Sequence, residues 1–440
     1  MDFEFSEEQR RFVEEVDAFI AENRDPEVMD VTRENMSQLV DTPKRRAFMR
    51  KIGEHGWLGM TWTKEYGGKE REGIYEYLLN EHLAAVGAPQ IGKGVGIIGK
   101  TIMRHGTEKL KREFLPKILR NEVEFAIGYS EPSAGSDAAA MALKAVRHGD
   151  GWVLNGQKIF TTSAHFADWY WVGARTDPDA PKHAGISLFL IPMKHPGLTV
   201  HPMPTIGDEI TNQVFFDDVY VGNDYVVGEL GKGFQYISEA LDLERFTMFT
   251  YSPIEKRVEL LCDYVRKETR DGKPLREDPL VRQTIARLVT QAEVARCLGL
   301  RFVAESMRGG AAPTCEASEY KLYATELSKR LASASMDIGG PGAQLRVHTE
   351  DAPMKGGAAP TCEASEYKLY ATELSKRVAD ASMDVGGPGS QLRLHTEGAP
   401  MDGRAESTYR YTVIDTIGGG ASEIQKNIIA RRGLGLPKNF

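Results

Sequence analysis

The sequence predicts an α+β protein of three domains: an N-terminal α-helical domain, a central antiparallel β-barrel or sandwich domain, and a C-terminal α-helical bundle. Apolar residues recur at helical spacing up to about residue 124 and again from residue 233, whereas short β-type runs fill the interval between them. At 440 residues the chain is also too long for one small core. We therefore predict domains over 1–124, 125–232 and 233–440.

The N-terminal domain is predicted from helix-start signals followed by helical periodicity. Ser6 and Gln9 form a capping-box pattern, and the apolar residues after them are spaced for one helical face. Further buried helices are predicted over 79–86 and 97–103. Another helix is predicted after Thr107, whose side chain suits an N-cap.

The central domain is predicted from strand-like runs separated by Pro, Gly and Asp. Asn155-Gly156 lies between two such runs, and because this dipeptide suits a type I′ turn, we predict a β-hairpin over 152–160. Further strands are predicted over 169–174, 185–193, 198–202 and 213–221. Long amphipathic helices are then predicted over 234–251, 255–269 and 280–307.

The C-terminal domain contains an internal repeat. Residues 309–330 recur unchanged at 356–377, and the two 47-residue units, 309–355 and 356–402, differ at only seven positions. Two copies do not make a solenoid, so we interpret them as a tandem duplication of one helix and its loop. Only one copy can fill a given position in a helical bundle. We favour the second copy, because it leads directly into the C-terminal helix.

Composition and charge favour a globular protein that is not built around nucleic acid. Hydrophobic residues make up 41% and charged residues 27%, with a net charge of −8. The four cysteines form no CxxC pair, which argues against a zinc site or disulfide framework and for a reducing, cytoplasmic location. The acidic N-terminus resembles no targeting peptide, and no apolar run approaches the roughly 20 residues that span a membrane.

Two stretches in the central domain stand out chemically. Residues 129–137 combine hydroxyl, glycine and acidic residues, and residues 158–163 place a phenylalanine and two threonines after a lysine. Segments of this kind wrap a planar cofactor that carries phosphate groups. The ordinary alternative is a loop at a domain junction, but the two motifs occur in register, which favours the cofactor.

Both stretches resemble the flavin-binding signature of the acyl-CoA dehydrogenase family, and the resemblance extends over nearly the full chain. It implies FAD as cofactor, with Phe160 against the flavin, where the family usually has tryptophan, and Thr162 near flavin N5. It also places Ser136 near the CoA pyrophosphate or pantetheine, as a substrate-binding residue. The implied cofactor-binding residues are Tyr129, Ser130, Gly135, Ser136, Phe160, Thr161, Thr162, Gly386, Gly387 and Ser422; no metal is expected.

A helix after residue 233 carries the next elements of the resemblance. Asp242 and Arg245 match a pair that contacts the CoA chain in the family, although an exposed helical charge pair is the ordinary alternative. The Gly386-Gly387 turn matches a glycine turn near the dinucleotide part of the cofactor. Its ordinary alternative is a helix C-cap.

The catalytic base departs from the common family pattern. Most members carry a glutamate where this chain has Gly419, and glycine cannot accept a proton. A minority, such as isovaleryl-CoA dehydrogenase, uses a glutamate directly before the CoA-contacting arginine, and Glu244 stands at that place. The resemblance therefore implies Glu244 as the base. The alternative is a surface Glu-Arg pair in a chain that does not catalyse proton removal.

These residues leave three functions open. The first is FAD-dependent dehydrogenation of an acyl-CoA thioester, in which Glu244 removes the α-proton and a hydride passes from the β-carbon to flavin N5. The second is a non-catalytic or flavin-sharing subunit of a heteromeric acyl-CoA dehydrogenase. The third is an acyl-CoA oxidase-like flavoenzyme. The family resemblance further implies an electron-transfer flavoprotein as electron acceptor and a homo- or heteromeric tetramer.

Overall fold

The structure is a computed structural model that describes residues 5–31, 42–205, 209–248, 250–270, 272–307 and 314–339, with residues 424, 426, 428 and 429; for 242–248 it describes the backbone alone. The α-helices in these ranges are α1 (Glu7–Glu22), α2 (Pro43–Glu54), α3 (Gly73–Ala85), α4 (Lys100–His105), α5 (Glu108–Leu119), α6 (Gly233–Met248), α7 (Ser252–Lys267), α8 (Pro279–Met307) and α9 (Thr314–Gly339). The strands are β1 (Phe125–Gly128), β2 (Lys144–His148), β3 (Gly151–Lys158), β4 (Trp169–Arg175), β5 (Ile186–Pro192), β6 (Leu198–Pro204), β7 (Ile210–Gly222), β8 (Val226–Val227), β9 (Thr269–Arg270) and β10 (Lys273–Pro274).

The N-terminal helices α1 and α5 begin at the predicted caps, whereas the helix predicted over 79–86 begins earlier, at Gly73. The Gln9 N–H donates to Ser6 Oγ at 3.2 Å and the Ser6 N–H donates to Gln9 Oε1 at 2.9 Å, which completes the capping box of α1. Thr107 caps α5 through the N–H of Leu110. The helix predicted over 97–103 starts earlier, as a π-helix over Gly94–Gly99 that continues into α4.

The central strands form one eight-stranded sheet. Its path runs β6-β7-β3-β2-β4-β5-β8, and β1 pairs with β4 outside this path. Most neighbours are antiparallel, but β1 and β2 are both parallel to β4. The path through the described strands does not close on itself, so the word barrel describes this sheet only loosely. The predicted α+β fold class, with helical domains on either side of a central β-domain, is confirmed.

The predicted hairpin at Asn155-Gly156 is wrong. β3 continues through both residues, and the hairpin instead joins β2 to β3 at residues 149–150. The Asn155 side chain bonds across the sheet, because its amide donates to Asp218 Oδ1 and its oxygen accepts the Asp218 N–H, both at 2.9 Å. Gly156, at φ 138°, absorbs a register shift against β7. The extra residue of this β-bulge lies on β7, where Asp217 and Asp218 together face Asn155 and Asp218 has φ 47°.

The C-terminal helices α7, α8 and α9 share a separate hydrophobic core. The first copy of the duplicated segment supplies α9, and its Tyr320, Leu327 and Leu331 are buried there. The sequence favoured the second copy for this position. The structure seats the first copy instead, and the second copy lies outside the described residues.

A buried carboxylate joins the N-terminal and C-terminal helices. Glu81 on α3 accepts the backbone N–H groups of Tyr251 and Ser252, at the start of α7, at 2.9 and 2.8 Å. These N–H groups have no partner within their own helix, so Glu81 satisfies them and complements the positive end of the helix dipole. This contact fixes the start of α7 relative to α3.

Candidate functional site

An ion pair between Glu131 and Lys158 connects the two predicted motif stretches. Lys158 Nζ lies 2.7 Å from Glu131 Oε1, and the exposures of the lysine and glutamate side chains are 0% and 6%. Burial lowers the pKa of Lys158 from 10.5 to about 8, although the Glu131 carboxylate acts in the opposite direction. The two charges therefore depend on each other, since neither faces solvent.

Glu131 also organises the backbone that follows the first stretch. Its carboxylate accepts the N–H groups of Ala142 and Leu143 at 2.6 and 2.8 Å. Arg175 on β4 donates to the carbonyl groups of Ala139 and Met141 at 2.7 and 3.1 Å. The chain from 131 to 143 is consequently a fixed loop, although it contains only a short 3₁₀ turn.

Tyr129 and Ser130 continue from the end of β1 and lie against the second stretch. The Ile159 N–H donates to the Ser130 carbonyl at 3.0 Å, and Lys158 Nζ donates to the Tyr129 carbonyl at 3.3 Å. The Tyr129 hydroxyl accepts the indole N–H of Trp171 at 2.8 Å. Both predicted residues are half-buried, with their backbone carbonyl groups already engaged.

The 160–163 loop that follows β3 holds two residues in a conformation that non-glycine residues rarely adopt. Phe160 has φ 56° and Ser163 has φ 73°. The Phe160 side chain is 45% exposed, which is unusual for a large aromatic residue. Backbone strain of this kind concentrates at functional sites.

Thr161 anchors the loop through hydrogen bonds to Tyr170 and Asn212. Its hydroxyl hydrogen-bonds the Tyr170 hydroxyl at 2.8 Å, its N–H donates to the Asn212 carbonyl at 2.9 Å, and its carbonyl accepts the Asn212 amide at 2.8 Å. Asn212 Oδ1 is buried and has no hydrogen-bond partner among the residues that the structure describes. An acceptor of this kind, beside the loop, is available to a donor group that enters the site.

Gly135 and Ser136 lie at the exposed turn of the first stretch. A Cβ atom added to Gly135 meets no atom within 4 Å, so the space beside this backbone is open. By contrast, a Cβ added to Gly128 lies 2.3 Å from the Tyr170 hydroxyl. Gly128 is therefore required by packing, whereas Gly135 leaves the backbone accessible.

Helix α6, which carries Asp242, Glu244 and Arg245, runs beside this region. Leu241 packs against the same hydrophobic core as Tyr129 and Trp171. The side chains of the three predicted residues themselves lie outside the described part of the structure. The structure thus places their helix against β4 and β5 of the sheet, but it does not place their functional groups.

The remaining predicted site residues, Gly386, Gly387, Ser422 and the Gly419 position, lie outside the described residues. Sequence reasoning missed Asn212, Tyr170 and Lys93, all of which contact the 160–163 loop or its anchor. Lys93 had a visible signal, because it is a lone charge within the otherwise uncharged run Ile91–Ile98. Asn212 and Tyr170 had no such signal, since their roles depend on strand pairing.

The described ranges contain neither a membrane-spanning helix nor a cluster of metal-ligating side chains. None of the helices there is both long enough and apolar enough to traverse a lipid bilayer. No group of three or more His, Cys, Asp and Glu side chains in the same ranges is arranged to hold a metal ion.

Comparisons with known proteins cover the whole chain. Family models match in succession: acyl-CoA dehydrogenase, N-terminal domain, at residues 6–122; middle domain at 126–219; and C-terminal domain at 231–355 and again at 345–434. The acyl-CoA dehydrogenase FadE26 of Mycobacterium tuberculosis is 30% identical over 402 residues, which cover 89% of this chain and 88% of that protein.

Solved structures give the same result. The ChsE4-ChsE5 complex from Mycobacterium tuberculosis matches with a TM-score of 0.80 and 28% identity, covering 100% of both chains. The Tcur3481-Tcur3483 steroid ACAD matches with a TM-score of 0.79 and 28% identity, again covering 100% of both chains. The chain belongs to the acyl-CoA dehydrogenase family.

Proposed function

We propose that this chain catalyses FAD-dependent α,β-dehydrogenation of an acyl-CoA thioester, with Glu244 as the base. The observation that carries the proposal is the cradle formed by residues 129–137 and 158–163, held together by the buried Glu131–Lys158 pair. Enzymes of the acyl-CoA dehydrogenase family depend on FAD in general. The cradle lies in the part of the chain that matches the middle domain of that family.

The residues of the cradle fit a flavin. Phe160 presents an exposed aromatic face in a fixed backbone conformation, and Gly135 leaves open space beside its backbone. The buried, unpartnered Asn212 Oδ1 offers an acceptor next to Thr161. A planar, amphipathic ring with donor and acceptor edges is the type of group that satisfies these features together.

Within this proposal, each predicted residue has a binding role. Tyr129, Ser130, Phe160, Thr161 and Thr162 hold the flavin ring. The rest of the cofactor is bound through Gly135, Ser136, Gly386, Gly387 and Ser422. Ser136, Asp242 and Arg245 bind the CoA part of the substrate.

Glu244 removes the proton from the α-carbon of the thioester. Exclusion of water from the closed cleft raises the pKa of a carboxylate and makes it a stronger base. FAD, when bound, accepts the hydride from the β-carbon, so the substrate loses one proton and one hydride and becomes the enoyl thioester. We propose an electron-transfer flavoprotein as the subsequent electron acceptor.

The base assignment is tested with Glu244→Gln. Acyl-CoA thioesters are added anaerobically to the purified, FAD-loaded wild type and variant, and loss of the visible absorbance of oxidised flavin is recorded. We expect rapid bleaching in the wild type and a loss of at least about 10²-fold in its rate in the variant. Glu239→Gln is the matched control on the same helix and should bleach normally. Equal bleaching rates in Glu244→Gln and wild type would contradict the assignment.

A second candidate function is a subunit of a heteromeric enzyme. The match to the ChsE4-ChsE5 complex over the full length of both chains favours it. Another full-length match is a steroid ACAD, which favours a bulky, ring-bearing acyl group as substrate in either case. A tetramer, homomeric or heteromeric, is part of this proposal.

Purification of the chain alone separates the two candidates. A catalytic homomer should bind about one FAD per chain and bleach with a suitable thioester. A partner-dependent subunit should bleach only after co-expression with a second family member. Bleaching by the isolated chain, lost in Glu244→Gln, would rule out the subunit hypothesis.

A further inference from the structure

Lys93 is a buried charged residue that the proposed chemistry does not use. Its side chain is 3% exposed, and it directly precedes the π-helix Gly94–Gly99. Its Nζ lies 3.4 Å from the Thr162 carbonyl and 3.2 Å from Ser163 Oγ. A cation from the N-terminal domain therefore reaches the 160–163 loop of the central domain. Single π-helical turns often mark functional sites, because they displace one side chain from the regular pattern.

One of the two residues that Lys93 contacts is in a strained conformation. Ser163, at φ 73°, is one of the two residues of the loop in the left-handed region. The neighbouring Thr161 is held by Asn212, through one hydrogen bond in each direction. The loop is therefore fixed by Lys93 at Thr162 and Ser163 and by Asn212 at Thr161.

Glu124 is a carboxyl group on which the charge of Lys93 acts. It immediately precedes β1, where its backbone N–H donates to Asp168 Oδ2 at 2.9 Å. Arg46 on α2 lies 3.6 Å from the same aspartate and donates to the Phe166 carbonyl at 2.9 Å. Lys93, Arg46 and Asp168 are the charged groups that act on Glu124 in the described part of the chain.

The titration of Glu124 falls in the physiological range. Burial raises the pKa of Glu124 from 4.5 to about 7; the positive charges of Lys93 and Arg46 oppose this increase, and Asp168 adds to it. Near neutral pH, the charge of this carboxyl group therefore changes, and Lys93 is one of the groups that interact with that charge. Such a change alters the field at the loop that Lys93 contacts.

We propose, on the basis of the proposed function, that Lys93 is a positioning residue for the flavin, and that the carboxyl group of Glu124 modulates its effect. Lys93 holds the backbone of Thr162 and Ser163 in the conformation that receives the cofactor. Its positive charge also favours the reduced cofactor, which carries more negative charge than the oxidised form. Ionisation of Glu124 weakens that effect, so the midpoint potential of the bound flavin depends on Glu124.

The test is the midpoint potential and dissociation constant of FAD in the holoprotein, measured from pH 5.5 to 8.5. Lys93→Met should weaken FAD binding by at least about tenfold and lower the potential, whereas Lys93→Arg should retain most of both. Glu124→Gln should remove an inflection near pH 7 in the plot of potential against pH. It should also raise the potential above that of the wild type at pH 8. Lys117→Met, at a half-exposed lysine of α5, is the control and should change neither quantity.

Each variant gives an outcome that bears on the inference. Unchanged FAD affinity and potential in Lys93→Met would overturn it, and so would an inflection that persists in Glu124→Gln. If Lys93→Met fails to fold, Lys93→Arg and Glu124→Gln still decide the electrostatic part through the pH profile. A wild type that binds no FAD would refute the proposed function as well. A loaded wild type whose potential is indifferent to both residues would refute only this inference.

Discussion

The Glu131–Lys158 pair holds the proposed cradle together, and a double-mutant cycle on these two residues should show a large coupling energy between them. The charges are 2.7 Å apart and almost fully buried. At an effective dielectric constant near 20, their direct attraction is about 6 kcal/mol, most of which offsets the desolvation of both groups. Because removal of one partner leaves the other charge buried, Glu131→Gln and Lys158→Met should each destabilise the central domain by about 3–5 kcal/mol.

The double variant should be far less damaging than the sum of the two single variants. It leaves no buried charge at these two positions, and the introduced glutamine side chain retains an oxygen for one of the two N–H groups, from Ala142 or Leu143, that Glu131 accepts. One N–H group without a partner costs about 1–3 kcal/mol. The coupling energy between the two sites should therefore be at least about 3 kcal/mol.

Urea unfolding at pH 7 and hydrogen exchange of the peptide that contains Ala142 and Leu143 measure this cycle. Hydrogen exchange reports local opening of this loop, so it distinguishes destabilisation of the central domain from destabilisation of the other two domains. A coupling energy below about 0.5 kcal/mol would refute the reasoning, since independent sites are additive within that range.

Further predictions concern single positions around the same loop. The raised pKa of Glu124 contributes up to about 3 kcal/mol to the free energy of unfolding. This contribution is fully present below pH 4.5 and is lost as pH rises through about 7. The thermal stability of Glu124→Gln, measured from pH 4.5 to 8, should lack this pH dependence. Thr161→Val removes the hydrogen-bond partner of the buried Tyr170 hydroxyl, so urea unfolding should show that the free energy of unfolding falls by about 1–3 kcal/mol. An unchanged free energy of unfolding would indicate that water replaces the lost partner. Gly128→Ala should destabilise by about 1–3 kcal/mol, because its Cβ collides with Tyr170. Gly135→Ala is the matched control: its unfolding energy should stay within about 0.5 kcal/mol of wild type, while its FAD affinity falls.

Local signals predicted the helical domains well. The capping box at Ser6 and the cap at Thr107 both form, because each depends only on residues three positions apart. The long helices α7 and α8 begin and end within a few residues of their predicted bounds, since their amphipathic patterns run over many turns.

Long-range pairing explains where sequence reasoning failed. Asn155-Gly156 has the composition of a tight turn, but the two hydrogen bonds between Asn155 and Asp218 on β7 hold it in an extended strand. No local pattern reveals a partner 63 positions away. The duplicated segment posed a different problem: both copies carry the same buried residues, so local sequence did not decide which one forms α9.

In the candidate site, too, local sequence patterns identified some residues, and long-range contacts determine the others. The motif stretches identified Tyr129, Ser130 and the 160–163 loop, because these residues are close in sequence. The groups that fix the loop come from three other elements: Lys93 before the π-helix, Tyr170 on β4 and Asn212 on β7. The contributions of Tyr170 and Asn212 depend on strand pairing, and that of Lys93 depends on how the N-terminal domain packs on the sheet; neither is a property of any one segment.

The central claim is that this cleft binds FAD and uses it to oxidise an acyl-CoA thioester. Its most direct test mixes the FAD-loaded chain anaerobically with ring-bearing and straight-chain acyl-CoA thioesters, and determines flavin reduction and product mass in the same sample. The account predicts one flavin reduced for each thioester that loses two hydrogen atoms. A chain that binds FAD but neither bleaches nor forms an enoyl product with any thioester, alone or with a second family member, would contradict it.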